Sequence, residues 1–164
     1  YILSLQKLHK KSKKLLKTMF KFFKKNNSIP KKDVPNIEAE LTASILAYEI
    51  ARADGEVSDD ELSIILKEIK KLTIKVGKSE EEILKIIENF SENSTSFHDF
   101  IEDINKDYSK EDKLLLLSFL WTVAYSDFDL EINEERLIRR IANLIHLKDI
   151  DVLKIKDTIK NSRI

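Results

Sequence analysis

Acidic side chains are concentrated in two short stretches, each lying between an apolar segment and an amphipathic one. The carboxylates concerned are Asp54, Glu56, Glu61, Asp127, Asp129, Glu131 and Glu134. Carboxylate oxygens are the ligands that Ca²⁺ and Mg²⁺ prefer in proteins. One interpretation of each stretch is therefore a small divalent-cation site that is completed by water.

A second interpretation of the acidic stretches is purely structural. Asp54 and Asp127 each fall where an apolar helix should end, and an exposed carboxylate there costs roughly 0.3–1 kcal/mol against the helix dipole. A cation would offset this cost, and so would backbone N–H groups at the start of the following helix. Both interpretations stay open. In a polar surface loop we expect these carboxylates to have ordinary acidity.

Other kinds of chemistry find little support in the sequence. There is no cysteine, no Gly-x-Ser-x-Gly turn and no glycine-rich phosphate loop. An EF-hand loop starting at Asp54 would need glycine at its sixth position and glutamate at its twelfth, where Asp59 and Ile65 stand. We therefore expect a non-catalytic protein with Ca²⁺ or Mg²⁺ as its only candidate cofactor.

The elements that must position these loops are helices. With two glycines and two prolines in 164 residues, and 42% hydrophobic residues, the composition is typical of long helices and short connections. One apolar helix is predicted from about Ile37 to Ala53. Others are predicted to begin after Ser58, Ser79 and Ser109, each followed three residues later by Glu or Asp as in a capping box, and Gly77 is predicted to end one of them.

The pattern of apolar helix, acidic loop and amphipathic helix occurs twice. Aligning the second occurrence on the first without gaps places Asp127 on Asp54, Glu134 on Glu61, and Trp121 on Tyr48. Each half would leave an apolar face that it cannot bury alone. The predicted fold is therefore all-α, a compact helical bundle of two pseudo-symmetric helix–loop–helix repeats (about 37–76 and 110–145) within a domain spanning 37–164.

At these residues the chain resembles a known family. The stretches 53–61, 121–127 and 134–142 are similar to signature stretches of the TerB family, and the resemblance covers roughly residues 37–159. It implies an all-α fold of two repeats, a link to tellurite resistance and stress responses, and cation binding by the acidic loops. Phe128 departs from the pattern because the family usually has glycine there.

The N-terminal segment 1–25 differs sharply in charge from the rest of the chain. It contains nine of the 29 basic residues and none of the 29 acidic ones, which leaves 20 basic and 29 acidic groups in the part that follows. Apolar residues at helical spacing predict a basic amphipathic arm over 1–25, joined to the body by a linker over 26–36. The side chains expected to meet a membrane or partner are Lys7, Lys10, Lys11, Lys14, Lys17, Phe20, Lys21, Phe22 and Phe23.

Such an arm suits three kinds of surface: an anionic membrane, another protein, or the acidic body of the same chain. A protein partner is expected and nucleic acid is the weaker option. The sequence contains no apolar run of the length that spans a bilayer, so we expect a cytoplasmic location, at the inner face of the membrane if the arm binds lipid.

The first hypothesis is a stress-response or scaffold module that acts through its acidic loops. The alternative is a peripheral membrane or assembly subunit that acts through its arm, with loops that only cap helices.

Overall fold

A computed structural model describes residues 34–93, 98–127 and 130–162. These ranges contain seven α-helices and no strand, which confirms the predicted all-α class. The helices are α1 (Val34–Ala51), α2 (Asp59–Val76), α3 (Glu80–Asn93), α4 (His98–Asp107), α5 (Lys110–Ala124), α6 (Ile132–Leu144) and α7 (Asp149–Asn161). The predicted arm and most of the predicted linker lie outside the described residues.

Two apolar helices form the centre of the body. Helices α1 and α5 pack on each other; α2 and α3 pack on α1, and α6 and α7 pack on α5. In addition, α2 contacts α5, and α6 contacts α1. Both central helices are buried around much of their circumference, as expected when other helices cover several of their sides. Their buried side chains include Leu41, Ile45, Leu46, Ile50, Leu116, Leu117, Leu120 and Trp121.

The serine capping boxes predicted from the sequence are confirmed. The Ser58 hydroxyl accepts the Glu61 N–H at 3.2 Å at the start of α2. The same arrangement opens α3 at Ser79 and α5 at Ser109. Each box satisfies N–H groups that have no partner within the helix, and so defines where that helix begins.

Helix α1 differs at both ends from its predicted bounds. It begins at Val34, before the predicted start at Ile37, because the first turn of a helix tolerates Pro35, whose missing N–H is not needed there. It ends at Ala51, short of the predicted end, since the Ala53 N–H bonds back to the Ile50 carbonyl at 2.9 Å in a tighter turn. Gly55 follows with φ 113°, a conformation that side chains with a Cβ rarely adopt.

Helix α4 lies between α3 and the central helix α5 in the chain. Its Phe100 ring meets the Phe90 ring of α3 edge to face, with centroids 5.2 Å apart. Its Asn105 side chain donates to the Leu144 carbonyl at 2.9 Å, at the C-terminal end of α6. None of the described helices is both long enough and apolar enough to cross a bilayer.

Helices α2 and α6 both end at a residue in the left-handed conformation. For α2 this residue is Gly77, with φ 64°, as predicted. For α6 it is His146, with φ 62°. The Leu147 N–H bonds to the Ala142 carbonyl and the His146 N–H to the Asn143 carbonyl, both at 3.0 Å, which is a Schellman motif. Buried Leu147 holds the motif in place although the residue before it is not glycine.

Replacing His146 with glycine should stabilise the protein. The histidine is exposed, and glycine adopts φ 62° without the Cβ clash, so we expect a gain of roughly 0.5–1 kcal/mol after the greater freedom of the unfolded chain is counted. Urea unfolding measures the change. Gly77→Ala is the matched control at the end of α2 and should lose roughly 1 kcal/mol. Equal stability of His146→Gly and the parent would contradict the assignment of strain to His146.

Candidate functional site

The first acidic loop delivers Glu61 to the interior. Glu61 is the third residue of α2 and only 5% exposed. Its Oε2 atom accepts the Ser58 N–H at 2.7 Å, while its own N–H donates to the Ser58 hydroxyl. The carboxylate is therefore fixed by the capping box and lies at the positive end of the α2 dipole.

The second acidic loop delivers Glu134 in the same way. Glu134 is the third residue of α6 and only 3% exposed. Its Oε2 atom accepts the Glu131 N–H at 3.1 Å. Glu131 occupies the position that Ser58 has before α2, and its side chain is exposed. Each loop thus turns one glutamate inward.

These two glutamates meet. The buried side chains of Glu61 and Glu134 are close enough for the Glu61 carboxyl to act on the ionisation of Glu134. Burial raises the pKa of Glu134 to about 8, with further upward contributions from the Glu61 carboxyl and from the charge of Asp54, against the opposing hydrogen bond from the Glu131 N–H. Ordinary acidity was expected for all loop carboxylates, and for Glu134 this expectation is wrong. The sequence suggested a surface loop, whereas the packing buries this side chain.

Asp54 lies at the edge of the buried pair. Its carboxylate is exposed, and its Oδ1 atom accepts the Glu56 N–H at 3.2 Å in an Asx turn. Glu56 is also exposed. The Asp54 charge is nevertheless near enough to raise the pKa of Glu134. The first loop therefore contributes one buried and one exposed carboxylate to the same region, and the N–H that Asp54 accepts belongs to the loop and not to the start of α2.

The remaining predicted ligands are less completely described. Asp127 and Glu131 are exposed on the second loop. Asp129 and Phe128 lie outside the described residues, as do the nine predicted contact residues of the arm. Within the described ranges, no three His, Cys, Asp or Glu side chains are grouped so that they could hold a metal ion. The assignment of these carboxylates to a cation therefore remains a prediction.

A separate cluster surrounds the buried Trp121. The Lys156 Nζ atom is 5.4 Å from the centroid of the Trp121 ring and 2.7 Å from the Glu135 Oε1 atom. Arg139 also binds Glu135, at 2.8 Å. Burial opposes ionisation of Glu135, but the bonds to Lys156 and Arg139 outweigh it and lower its pKa. The pKa values of Glu134 and Glu135, which are adjacent in α6, are thus shifted in opposite directions.

The meeting of Glu61 and Glu134 was missed when the loops were considered one at a time. A signal for it was present, because both residues occupy the N3 position of a capping box and coincide when the two halves of the sequence are aligned. Equivalent positions in two repeats lie at equal distances from a shared axis. Such positions are therefore candidates for contact whenever they lie close to that axis.

The raised pKa of Glu134 predicts how stability depends on pH. Folding favours the protonated carboxyl, so this stabilisation is complete below the ordinary pKa near 4.5 and is lost as the pH rises through about 8. We expect the free energy of unfolding to fall by at least about 1.4 kcal/mol between pH 5 and 9, the equivalent of one pKa unit. In Glu134→Gln, an uncharged analogue of the protonated form, most of this decline should disappear. Urea unfolding across the pH series measures both.

Glu135→Gln is the matched control for this experiment. The lowered pKa of Glu135 stabilises the protein above the ordinary pKa of a glutamate, and this stabilisation is lost as the pH falls. The control should therefore lose stability at neutral pH and keep the decline between pH 5 and 9. A decline that is equally steep in the parent and in Glu134→Gln would show that the pair does not hold the proton.

Comparison with known proteins identifies the family. Residues 39–157 match the family described as "Tellurite resistance protein TerB", which is more than half of the chain. No curated protein and no solved structure is detectably similar. The match contains both acidic loops, the Glu61–Glu134 pair and all of the helices from α2 to α6, and it agrees with the resemblance seen in the sequence. The chain belongs to the TerB tellurite resistance family.

Proposed function

We propose that this chain is a non-catalytic TerB-type stress-response or scaffold module whose two acidic loops form one joint site. The site takes a divalent cation or, in its place, a cationic group of a partner protein. The observation that carries the proposal is the buried contact between Glu61 and Glu134, one from each loop. Among the described residues each loop supplies one buried carboxyl, so the proposed site depends on both loops.

The proposal is supported by the absence of a lysine or arginine from the hydrogen bonds described for Glu61 and Glu134. Two buried carboxyls are normally accompanied by a lysine or arginine, but the hydrogen bonds described for the Glu61 and Glu134 carboxyls come from backbone N–H groups. The proton between them occupies the position where a positive charge is most strongly favoured. Replacing that proton with a cation would let both carboxyls ionise and would use the nearby charge of Asp54.

The type of ion follows from the donor set. Two carboxylates with a third charge nearby are oxygen donors, as Mg²⁺ and Ca²⁺ require. Since the described residues contain no group of three ready ligands, most of the coordination shell would be water. Mg²⁺ retains several waters in proteins, and Ca²⁺ accepts flexible, higher coordination. Both ions therefore belong in the test, and weak binding is expected.

The joint site implies that the two halves are related by an approximate two-fold axis, as the sequence repeat predicts. Helices α1, α2 and α3 occur in the same order as α5, α6 and α7, with an acidic loop after the first helix of each set. The contacts of α2 with α5 and of α6 with α1 are reciprocal. An axis passing between Glu61 and Glu134 would account for their contact.

Titration calorimetry of the full chain with Ca²⁺ and with Mg²⁺ tests the joint site. Binding near pH 7 should release about one proton, because the cation displaces the proton held by the pair. Proton release is measured as a difference in heat between buffers of unequal ionisation enthalpy. Glu134→Gln should lose binding, and Asp54→Ala and Asp127→Ala should weaken it.

Glu111→Gln is the matched control, since it removes an exposed carboxylate from the first turn of α5. It should bind like the parent. If neither ion produces heat with the parent protein, the cation form of the proposal fails. Binding without proton release would instead place the ion away from the Glu61–Glu134 pair.

A second candidate function is that of a peripheral membrane or assembly subunit. It is favoured by the charge of the segment 1–25, which contains nine lysines and no acidic residue. The same segment contains the apolar side chains of Phe20, Phe22 and Phe23. In this case the loops only cap helices, and the arm sets the location of the protein and binds its partner. Substitution of Lys10, Lys14, Lys17 and Lys21 by glutamine should then reduce co-sedimentation with anionic vesicles about tenfold or more. Equal pelleting of parent and variant would remove the membrane form of this candidate.

A further inference from the structure

The outer face of α2 carries an isoleucine that the fold does not use. Ile74 is 86% exposed, the most exposed of the large hydrophobic side chains in the described residues. The buried residues of α2 are Glu61, Ile65, Ile69, Leu72 and Val76, and at about 100° per residue their directions centre on the opposite side of the helix from Ile74. The Ile74 side chain thus contributes nothing to the hydrophobic core on which α2 packs.

Lysines surround this isoleucine. Lys67, Lys70 and Lys71 are exposed and precede Ile74 by seven, four and three positions, so all four side chains share one face of α2. We call these four residues the lysine face. Lys71 pairs with Glu68 at 2.6 Å, whereas Lys67 and Lys70 have no ion-pair partner among the described residues. The face therefore keeps positive charge in a body that is otherwise predominantly acidic.

The helix dipole does not account for these lysines. Favourable interaction with the negative end of a helix is confined to its last turn. Lys67 and Lys70 lie nine and six positions before Val76, the last residue of α2. Their position at the centre of an exposed face needs another explanation.

The lysine face lies toward the end of the body where the basic N-terminal segment joins. Lys75, in the last turn of α2, bonds to Glu40 of α1 at 2.6 Å. Because α1 begins at Val34, the C-terminal half of α2 lies beside the part of α1 that follows residues 1–33. The acidic residues Asp59, Asp60 and Glu61 occupy the other end of α2. The exposed lysines and the acidic first turn thus lie toward opposite ends of α2.

We propose that the lysine face is a docking surface for an anionic lipid bilayer, with Lys67 and Lys70 at the headgroups and Ile74 entering the interface. Lysines around a single apolar side chain on a convex helix face suit a flat, negatively charged surface. The face has no arginine for bidentate binding of phosphates, and an aliphatic side chain at its centre has no counterpart in a nucleic-acid backbone. This surface is independent of cation binding by the loops and extends the second candidate function from the arm to the body.

The absence of cysteine makes a direct test available. In the full chain, Ile74→Cys is labelled with a polarity-sensitive fluorophore, and Ile150→Cys on α7, where the side chain is 55% exposed, is the matched control. On adding mixed phosphatidylcholine–phosphatidylserine vesicles, the label at position 74 should shift to the blue, and the label at 150 should not. Pure phosphatidylcholine should produce no shift, and salt should reverse it.

Pelleting with the same vesicles supplies the second measurement. Lys67→Gln/Lys70→Gln should lower the affinity about tenfold, whereas Lys154→Gln/Lys160→Gln, which removes two exposed lysines from α7, should leave it unchanged. The lysine face is excluded if the parent pellets but the label at position 74 does not shift and Lys67→Gln/Lys70→Gln binds vesicles with the affinity of the parent. In that case the arm alone binds. Absence of pelleting overturns both membrane proposals. A label at 74 that responds to a short DNA duplex but not to vesicles overturns this proposal in favour of nucleic acid.

Discussion

The contact between Glu61 and Glu134 is the constraint around which the rest of this structure is arranged. Each glutamate is favourable in its own capping box, because a carboxylate satisfies free N–H groups at a helix start and faces the positive end of the dipole. Bringing two such carboxylates together in the interior reverses the balance, since like charges that are shielded from water repel strongly. Protonation of one carboxyl relieves this repulsion, in agreement with the raised pKa of Glu134.

The central helices explain why the contact cannot be avoided. Helices α1 and α5 pack on each other, and each is followed by an acidic loop and a capped helix. Because α2 also contacts α5, and α6 also contacts α1, each capped helix is held against both central helices. Moving either glutamate away would require giving up a capping box or part of the packing of α1 on α5. The site is thus a consequence of the way the two central helices and the capped helices that follow them pack together.

Local features of the fold were predictable from the sequence, because local interactions determine them. The boxes at Ser58, Ser79 and Ser109 depend on residues three apart, and the end of α2 depends on Gly77 alone. Features that depend on tertiary packing were not predictable in the same way. The left-handed conformation of His146 is held by buried Leu147, and the inward position of Glu134 depends on a helix in the other half of the chain.

Acidic and basic side chains occupy different parts of α2. Its first turn contributes the acidic residues of the candidate site, and its outer face further along carries Lys67 and Lys70 around exposed Ile74. A surface attached to the lysine face would therefore leave the acidic loops at the other end of the helix free to meet an ion or a partner. The two proposed interactions are compatible because α2 places them about two to four turns apart.

The protonation state of the pair can be observed directly by carbon-13 NMR of the glutamate side-chain carboxyls. The carboxyl signal of Glu134 is expected to titrate with a pKa of about 8, and Mg²⁺ or Ca²⁺ should lower that value by competing with the proton for the site. Titration of the Glu134 carboxyl near its ordinary value of 4.5, unchanged by either ion, would contradict the protonated carboxyl and the joint site built on it.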